Sequence, residues 1–285
     1  MSFVVTTDTL QVAALKRPLQ LIQLTNPAGL TVTLSNLGAG LWSVLMPEPL
    51  TNKAVELIQN YQDPSHFARN PYYFAVTIGR VANRIGAAAY MQQGQVIGLL
   101  ANEGPNQLHG GPDGLGSRFW NFDIDQQKDR VSVTFRITSL EGDQGFPGQL
   151  DVQLRYSLLA HHELVLEYSA VSDQDTPVSL TNHAYWAIGG VGKGSVLEQQ
   201  LMLDALCRRS ERGVVFGGFH PSSEFGLQLL LHRRAVEVEV GLAGEEVVQV
   251  VLAAARVPLP GAAAEDGEPV VGRVAVVLGI GPDIP

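Results

Sequence analysis

The chain has a single cysteine, Cys207, so no intramolecular disulfide can form and a thiolate metal cluster is excluded. It has no apolar run of roughly 18 residues, the length needed to cross a bilayer as a helix. Met1 to Gln20 carries polar residues and Lys16-Arg17 where a signal peptide would have its apolar stretch. A soluble, cytoplasmic chain with no membrane partner is therefore expected. Positive charge is also scarce, with 19 Lys and Arg against 28 Asp and Glu, a net charge of -9. Nucleic acids and anionic membranes both need a basic footprint, so neither is expected as a partner. No Gly-x-Ser-x-Gly elbow is present, which leaves nucleophilic catalysis without a candidate. Gly79-Arg80 lacks the glycine spacing and the Lys-Ser/Thr ending of a phosphate loop.

Helical periodicity is almost absent, and a period of two takes its place. Val131, Val133, Phe135 and Ile137 alternate with Ser132, Thr134 and Arg136. Leu150, Val152, Leu154, Tyr156 and Leu158 alternate with polar residues, and Leu164, Leu166, Tyr168 and Ala170 follow. Each stretch reads as a strand with one buried face. Nearer the N-terminus, Leu19 to Leu24 and Leu30 to Leu34 flank the turn Asn26-Pro27-Ala28-Gly29, the pattern of a hairpin, and Leu41 to Met46 adds a further strand ending at Pro47. Many strands spaced by turn residues predict an all-β fold, a large antiparallel β-sandwich. The 285 residues, 45% of them hydrophobic, are ample for its core.

Composition changes after about Ala205. Residues 207–285 have no Asn, Thr, Tyr, Trp or Lys, although the chain holds ten Asn, twelve Thr and seven Tyr before that point. At the earlier rate about eleven of those three types would fall in the tail. The tail is rich in Val, Ala, Gly, Leu, Arg and Glu, as in Val236 to Val240 and Val247 to Ala255, runs that can form strands but carry poor turn chemistry. Two units are expected: 1–206, and an atypical tail, 207–285.

Four polar or glycine-rich clusters could carry chemistry: Gly79 to Ile85, Asn102 to Gly111, Glu141 to Gly148, and Ser179 to Trp186. In the last, His183 can hold or release a proton near neutral pH. Asn182 and Tyr185 beside it can hydrogen-bond a polar ligand, and the aromatic rings can supply a flat apolar wall. Each cluster alone has a structural reading: a satisfied histidine, a surface ion pair for Arg84, a long turn for Glu141 to Gly148. His109 and His183 lack a third partner at ligand spacing, so no metal site is expected.

Taken together, in this order and spacing, the clusters resemble the aldose 1-epimerase (galactose mutarotase) family, with its GRxANRI, NxxHGG, acidic DG-x-GYPG-like and TNHxYFN-like segments. The resemblance runs from about Pro18 to Ala205. It implies a galactose mutarotase-like supersandwich with an open sugar-binding face, acting on free hexoses such as galactose or glucose. Position by position it implies His183 as general acid, Asn83, Arg84 and His109 as sugar-binding residues, and Tyr185 as a wall of the same pocket. Trp186 could stack on the sugar. No cofactor or metal is implied.

Two departures bear on activity. Trp186-Ala187 stands where the family has Phe-Asn, and the family's C-terminal glutamate base has no counterpart in context, so Glu245, Glu246, Glu265 and Glu268 are not assigned that role. The sandwich is accordingly expected to be incomplete at its C-terminus. The coincidence of the compositional break with the end of similarity is read as out-of-frame translation of a G+C-rich gene, the rival being replacement by a new C-terminal segment. Low solubility or a mobile tail is expected from unpaired edges. Three functions follow: a mutarotase, a non-catalytic carbohydrate-binding protein on the same scaffold, or an inactive product of a damaged gene.

Overall fold

The structure, a computed structural model, describes residues 2–48 and 53–195, together with the backbone of strands at 200–204, 209–210, 213–214, 236–241, 247–253 and 270–278. Two antiparallel sheets dominate it. The first is a five-stranded meander in chain order: Val4–Leu10, Leu19–Thr25, Thr31–Ser35, Gly40–Pro47 and Ala54–Glu56. The Asn26–Gly29 turn closes its second hairpin. Gly29 takes the left-handed conformation there (φ +91°), and the Asn26 carboxamide accepts from the Leu30 amide at 2.9 Å. The same side chain donates to the carbonyls of Leu159 and His161, at 2.9 and 2.7 Å, and so joins this hairpin to the second sheet.

The second sheet has eight strands. From one edge they are Asn121–Gln126, Arg130–Ser139, Leu150–Leu159, Glu163–Ser172, Val270–Leu278, Val247–Ala253, Val236–Gly241 and Gln200–Asp204. The last four belong to the chain beyond residue 199, and the Glu163–Ser172 strand pairs antiparallel with Val270–Leu278. The expected alternation sets the core. Val131, Val133, Phe135, Leu154, Tyr156 and Leu166 lie in one apolar cluster with Ile22, Leu24, Val32, Leu34, Leu41 and Val44 of the first sheet. Burying each such side chain stabilises the fold by roughly 1.5–3 kcal/mol, and here the gain comes only when the two sheets meet face to face. These strands depart from the expectation of a single buried face, since Ser157 and Val165 are buried opposite the core side of their strands. Ser132 and Thr134, on the opposite side of Arg130–Ser139, are buried as well, and the Ser132 hydroxyl meets that of Ser157 across the pair at 2.9 Å.

Between the sheets runs a segment poor in regular structure, from Leu57 to Trp120. It contains 3-10 turns, two-residue strands and one short hairpin, Ala89–Gln92 with Gln95–Gly98, and no α-helix occurs among the described residues. Thr77–Ile78 pairs with Thr181–Asn182, and Arg84–Ile85 pairs with Gln107–Leu108. These two short ladders bring three of the four sequence clusters together.

Candidate active site

The ladder from Thr181 and Asn182 continues past its formal end. His183 donates its amide to Val76 O at 2.9 Å and accepts from the Ala75 amide at 3.1 Å. On its other side the segment meets residues 57–59: Gln59 N–H donates to Tyr185 O, and Ala187 N–H to Leu57 O. His183 is therefore held by backbone on two flanks. Asn182, expected to be available to a ligand, is consumed by the fold. Its amide nitrogen donates to Ala75 O (2.9 Å) and contacts the Tyr156 hydroxyl (3.2 Å), while its oxygen accepts from Ala184 N–H (2.9 Å). The Tyr156 hydroxyl in turn donates to Ala39 O at 2.8 Å, linking this segment to the core.

Three rings meet around His183, and a fourth backs one of them. The His109 imidazole stands edge-on to it with centroids 5.1 Å apart, Tyr185 lies 5.1 Å away, and Tyr73 lies 5.8 Å from His183 and 4.8 Å from His109. Phe74 packs edge-on against Tyr185 at 4.9 Å. The aromatic wall expected from the sequence thus exists, but Trp186 is not part of it. Its half-buried ring packs against the main core, and its backbone bridges Ile58. Tyr73 and Phe74, which sequence reasoning missed, take its place. The Tyr72-Tyr73-Phe74 triplet, so close before Gly79-Arg80, is the signal that could have found them.

Asn83 and His109 hold one another. The Asn83 amide donates to His109 Nδ1 at 3.0 Å, and the His109 amide donates to Asn83 O at 3.1 Å. An N–H aimed at Nδ1 fixes that nitrogen as the bare acceptor, which leaves the proton of the neutral ring on Nε2. Burial, reinforced by the neighbouring His183 and Arg84, pushes the His109 pKa down to about 3. Burial also lowers that of His183, partly offset by a hydrogen bond to its own backbone. Both imidazoles are therefore chiefly neutral at pH 7. Burial raises the phenols of Tyr73 and Tyr185, so both keep their protons, and Tyr185 donates its own to Tyr72 O at 3.0 Å.

The backbone here is unusually constrained. Tyr73 (φ +55°), Ala75 (φ +58°), Asn83 (φ +67°) and His109 (φ +54°) all occupy the left-handed region without being glycine. Such conformations cost on the order of 1–3 kcal/mol each and persist where surrounding contacts over-determine them. One such contact is the Asn70 carboxamide, which bonds both the amide and the carbonyl of Phe74, at 2.8 and 3.2 Å. Gly110 shows how tightly the chains cross: a Cβ built there would lie 1.8 Å from Gly79 O.

Arg84 sits opposite Leu108 in the short ladder and forms a bidentate ion pair with Glu103, Nε reaching the two carboxylate oxygens at 3.0 and 2.7 Å. The ion-pair reading of Arg84 thus holds geometrically. The Glu141 to Gly148 cluster is a turn whose Asp143 carboxylate pairs with Arg118 at 2.6 Å and accepts from Ser139 Oγ at 2.5 Å. Its carboxyl is pushed up by burial but pulled further down by those hydrogen bonds, so it stays ionised. Arg80 is buried between that turn and the site. Its guanidinium donates to Ser139 Oγ and O, Leu140 O, Pro147 O, Gly148 O and Thr176 Oγ1, at 2.8 to 3.1 Å. Among the described residues no group of three metal-ligating side chains is present.

A family model described as aldose 1-epimerase matches residues 20–218. The chain belongs to the aldose 1-epimerase family. The match continues past Ala205, where the similarity read from the sequence ends. Aldose 1-epimerase of Haemophilus influenzae is 38% identical over 192 residues, 66% of this chain and 54% of that protein. The aldose 1-epimerase of Escherichia coli is 38% identical over 175 residues, 61% of this chain and 49% of its own length. Galactose mutarotase of Bos taurus is 33% identical over 153 residues, 54% of this chain and 43% of that protein. The chain spans about half the length of the curated relatives it matches. The fold is shared with galactose 1-epimerase from Lactobacillus acidophilus, at a TM-score of 0.70 and 19% identity, covering 98% of this chain and all of that one. The large sandwich expected from period-two strands is thus the family's fold. No helix among the described residues is long and apolar enough to cross a membrane.

Proposed function

We propose that the chain is an aldose 1-epimerase that interconverts the α and β anomers of a free hexose by acid–base ring opening, working without a cofactor in the cytoplasm, with the family's general base missing from this chain. The observation that carries this reading is the meeting of two neutral imidazoles, His183 and His109, within an aromatic wall beside Asn83 and Arg84. Ring opening needs a base to take the proton of the anomeric hydroxyl while an acid protonates the ring oxygen. The C1–O5 bond breaks, the carbonyl forms at C1, and rotation about C1–C2 followed by the reverse steps gives the other anomer. His183 is the general acid. Asn83, Arg84, His109 through Nε2–H, and Tyr185 bind hydroxyls, and the ring faces of Tyr73 and Tyr185 pack on the C–H face of the pyranose.

One observation favours a second reading, a non-catalytic sugar-binding protein. Among the described residues the carboxylate whose charge reaches His109 and Tyr73 is Glu103, and it is already held by Arg84, so no described residue is assigned as base. Polarimetry on freshly dissolved α-galactose separates the two readings. A general base contributes about 10²- to 10⁴-fold. Acceleration equal to that of the Escherichia coli enzyme overturns the binding-protein reading. Binding of galactose with a rate lower by that factor supports the binding protein.

A further inference from the structure

The charge beside this site is balanced by Glu103, to which neither reading gives a task. Three arginines lie around the site segment, and two have their terminal guanidinium nitrogens held by the fold. Arg80 is buried against six acceptors of the fold, and Arg118 is committed to Asp143 and Asp113. The two histidines are neutral. Arg84 is then the cation that a ligand can meet among the described residues of the site, and its side chain is 54% exposed, so an anion from solution can reach it.

That guanidinium already has an anion. Glu103 grips it with both oxygens, using the fork geometry a phosphate would otherwise use. The grip is built in before any ligand arrives. Asn102 bonds both the amide and the carbonyl of Leu108, at 2.6 and 2.9 Å, Glu103 and Asn106 exchange backbone hydrogen bonds, and Gly104 completes the turn at φ +55°. Leu108 is the ladder partner of Arg84, so the turn delivers Glu103 to the arginine on a fixed baseline.

We propose that Glu103 is a specificity-determining residue that cancels the charge of Arg84 and confines the site to uncharged aldoses, excluding aldose phosphates. This rests on the sugar-binding reading given above. A phosphorylated sugar approaching Arg84 would have to displace the carboxylate or lie beside it, and two anions on one guanidinium repel. A neutral sugar meets no such obstacle, since the outward N–H groups of Arg84 can still donate to hydroxyls.

The test compares galactose with galactose 6-phosphate by isothermal titration at low ionic strength, with wild type, Glu103→Gln, Glu103→Ala, and Glu103→Gln combined with Arg84→Met, each checked for folding by circular dichroism. The expected result is that either Glu103 substitution shifts the affinity ratio toward the phosphate by about tenfold, and that adding Arg84→Met removes the shift. A ratio unchanged in both Glu103 variants, or a shift that survives the loss of Arg84, overturns the inference. Galactose binding by wild type is read separately. If wild type fails to bind galactose yet Glu103→Gln captures the phosphate, the role of Glu103 stands and the sugar-binding reading falls. If galactose binds and the ratio does not move, the reverse holds.

Discussion

His183 owes its protonation state to burial, and this decides how a proton donor there would respond to pH. With its pKa lowered, the acid form is a minor species at pH 7 and grows as pH falls. Mutarotation through His183 as general acid should therefore speed up between pH 7 and pH 5, and a pH–rate profile measures it; a rate that falls on acidification would reassign His183 as the base. His183→Asn should lower the rate by about 10²- to 10⁴-fold while galactose binding, read by titration, changes far less. His109 makes a separate prediction about stability. Its ordinary value of 6.5 in the unfolded chain falls to about 3 when folded, so the unfolded state takes up the proton first. The contribution is intact above pH 6.5, is lost progressively as pH falls toward about 3, and has a ceiling on the order of 3–5 kcal/mol. Urea midpoints at pH 8, 6 and 4 should drop less steeply in His109→Gln than in wild type. At this scale the sequence was informative about residue types and poor about their employment. His183, His109, Asn83 and Tyr185 do converge, but Asn182 spends its amide on Ala75, Tyr156 and Ala184, and Trp186 faces the core. A residue's neighbours in sequence do not disclose which of its hydrogen bonds the fold has taken.

Among the elements, the hairpins were legible and the site ladders were not. Leu19–Thr25 and Thr31–Ser35 differ by a residue from the strands expected around Asn26–Gly29, because alternation and turn chemistry are both local. Thr77–Ile78 and Thr181–Asn182 are two residues each and lie about a hundred apart, too short for periodicity to reveal and too distant for any turn to announce. Next to them Arg80 adds six bonds that tie the Gly79 to Asn83 backbone to the turn before Leu150 and to Thr176. Arg80→Met should leave several buried carbonyls without a donor, at roughly 1–3 kcal/mol each. A loss of about 3 kcal/mol or more, visible as a Tm lower by roughly 10 °C, is the expected outcome in a calorimetric scan. The amides of the Asp143–Gly145 turn should then exchange faster than those of Leu150–Leu159.

For the whole molecule, the sandwich class followed from period-two strands, and the Val-rich runs contribute the strands Val236–Gly241 and Val247–Ala253 of the large sheet. The break in composition near Ala205 falls inside the stretch matched by the family model, which ends at 218. We propose that the tail beyond about residue 206 is read out of frame. Sequencing the gene across the codons for Asp204 to Arg209 tests this: a one-base correction should yield a family-like C-terminus containing Asn, Thr, Tyr and Lys, and failure to do so favours a replaced segment. Protein made from the corrected gene should mutarotate about 10²- to 10⁴-fold faster than this chain, the contribution of a restored base.

The phenol of Tyr156 gives the site and the core a common fate. It is fully buried, it donates to Ala39 across the sandwich, and the Asn182 amide rests on it one residue before His183. Loosening of the inter-sheet packing would therefore be transmitted to the histidine before any strand separates. On heating, ligand affinity should fade ahead of the loss of β-structure. In directed evolution, changes that tighten the core around Tyr156 should surface as improved sugar binding, although they touch no sugar.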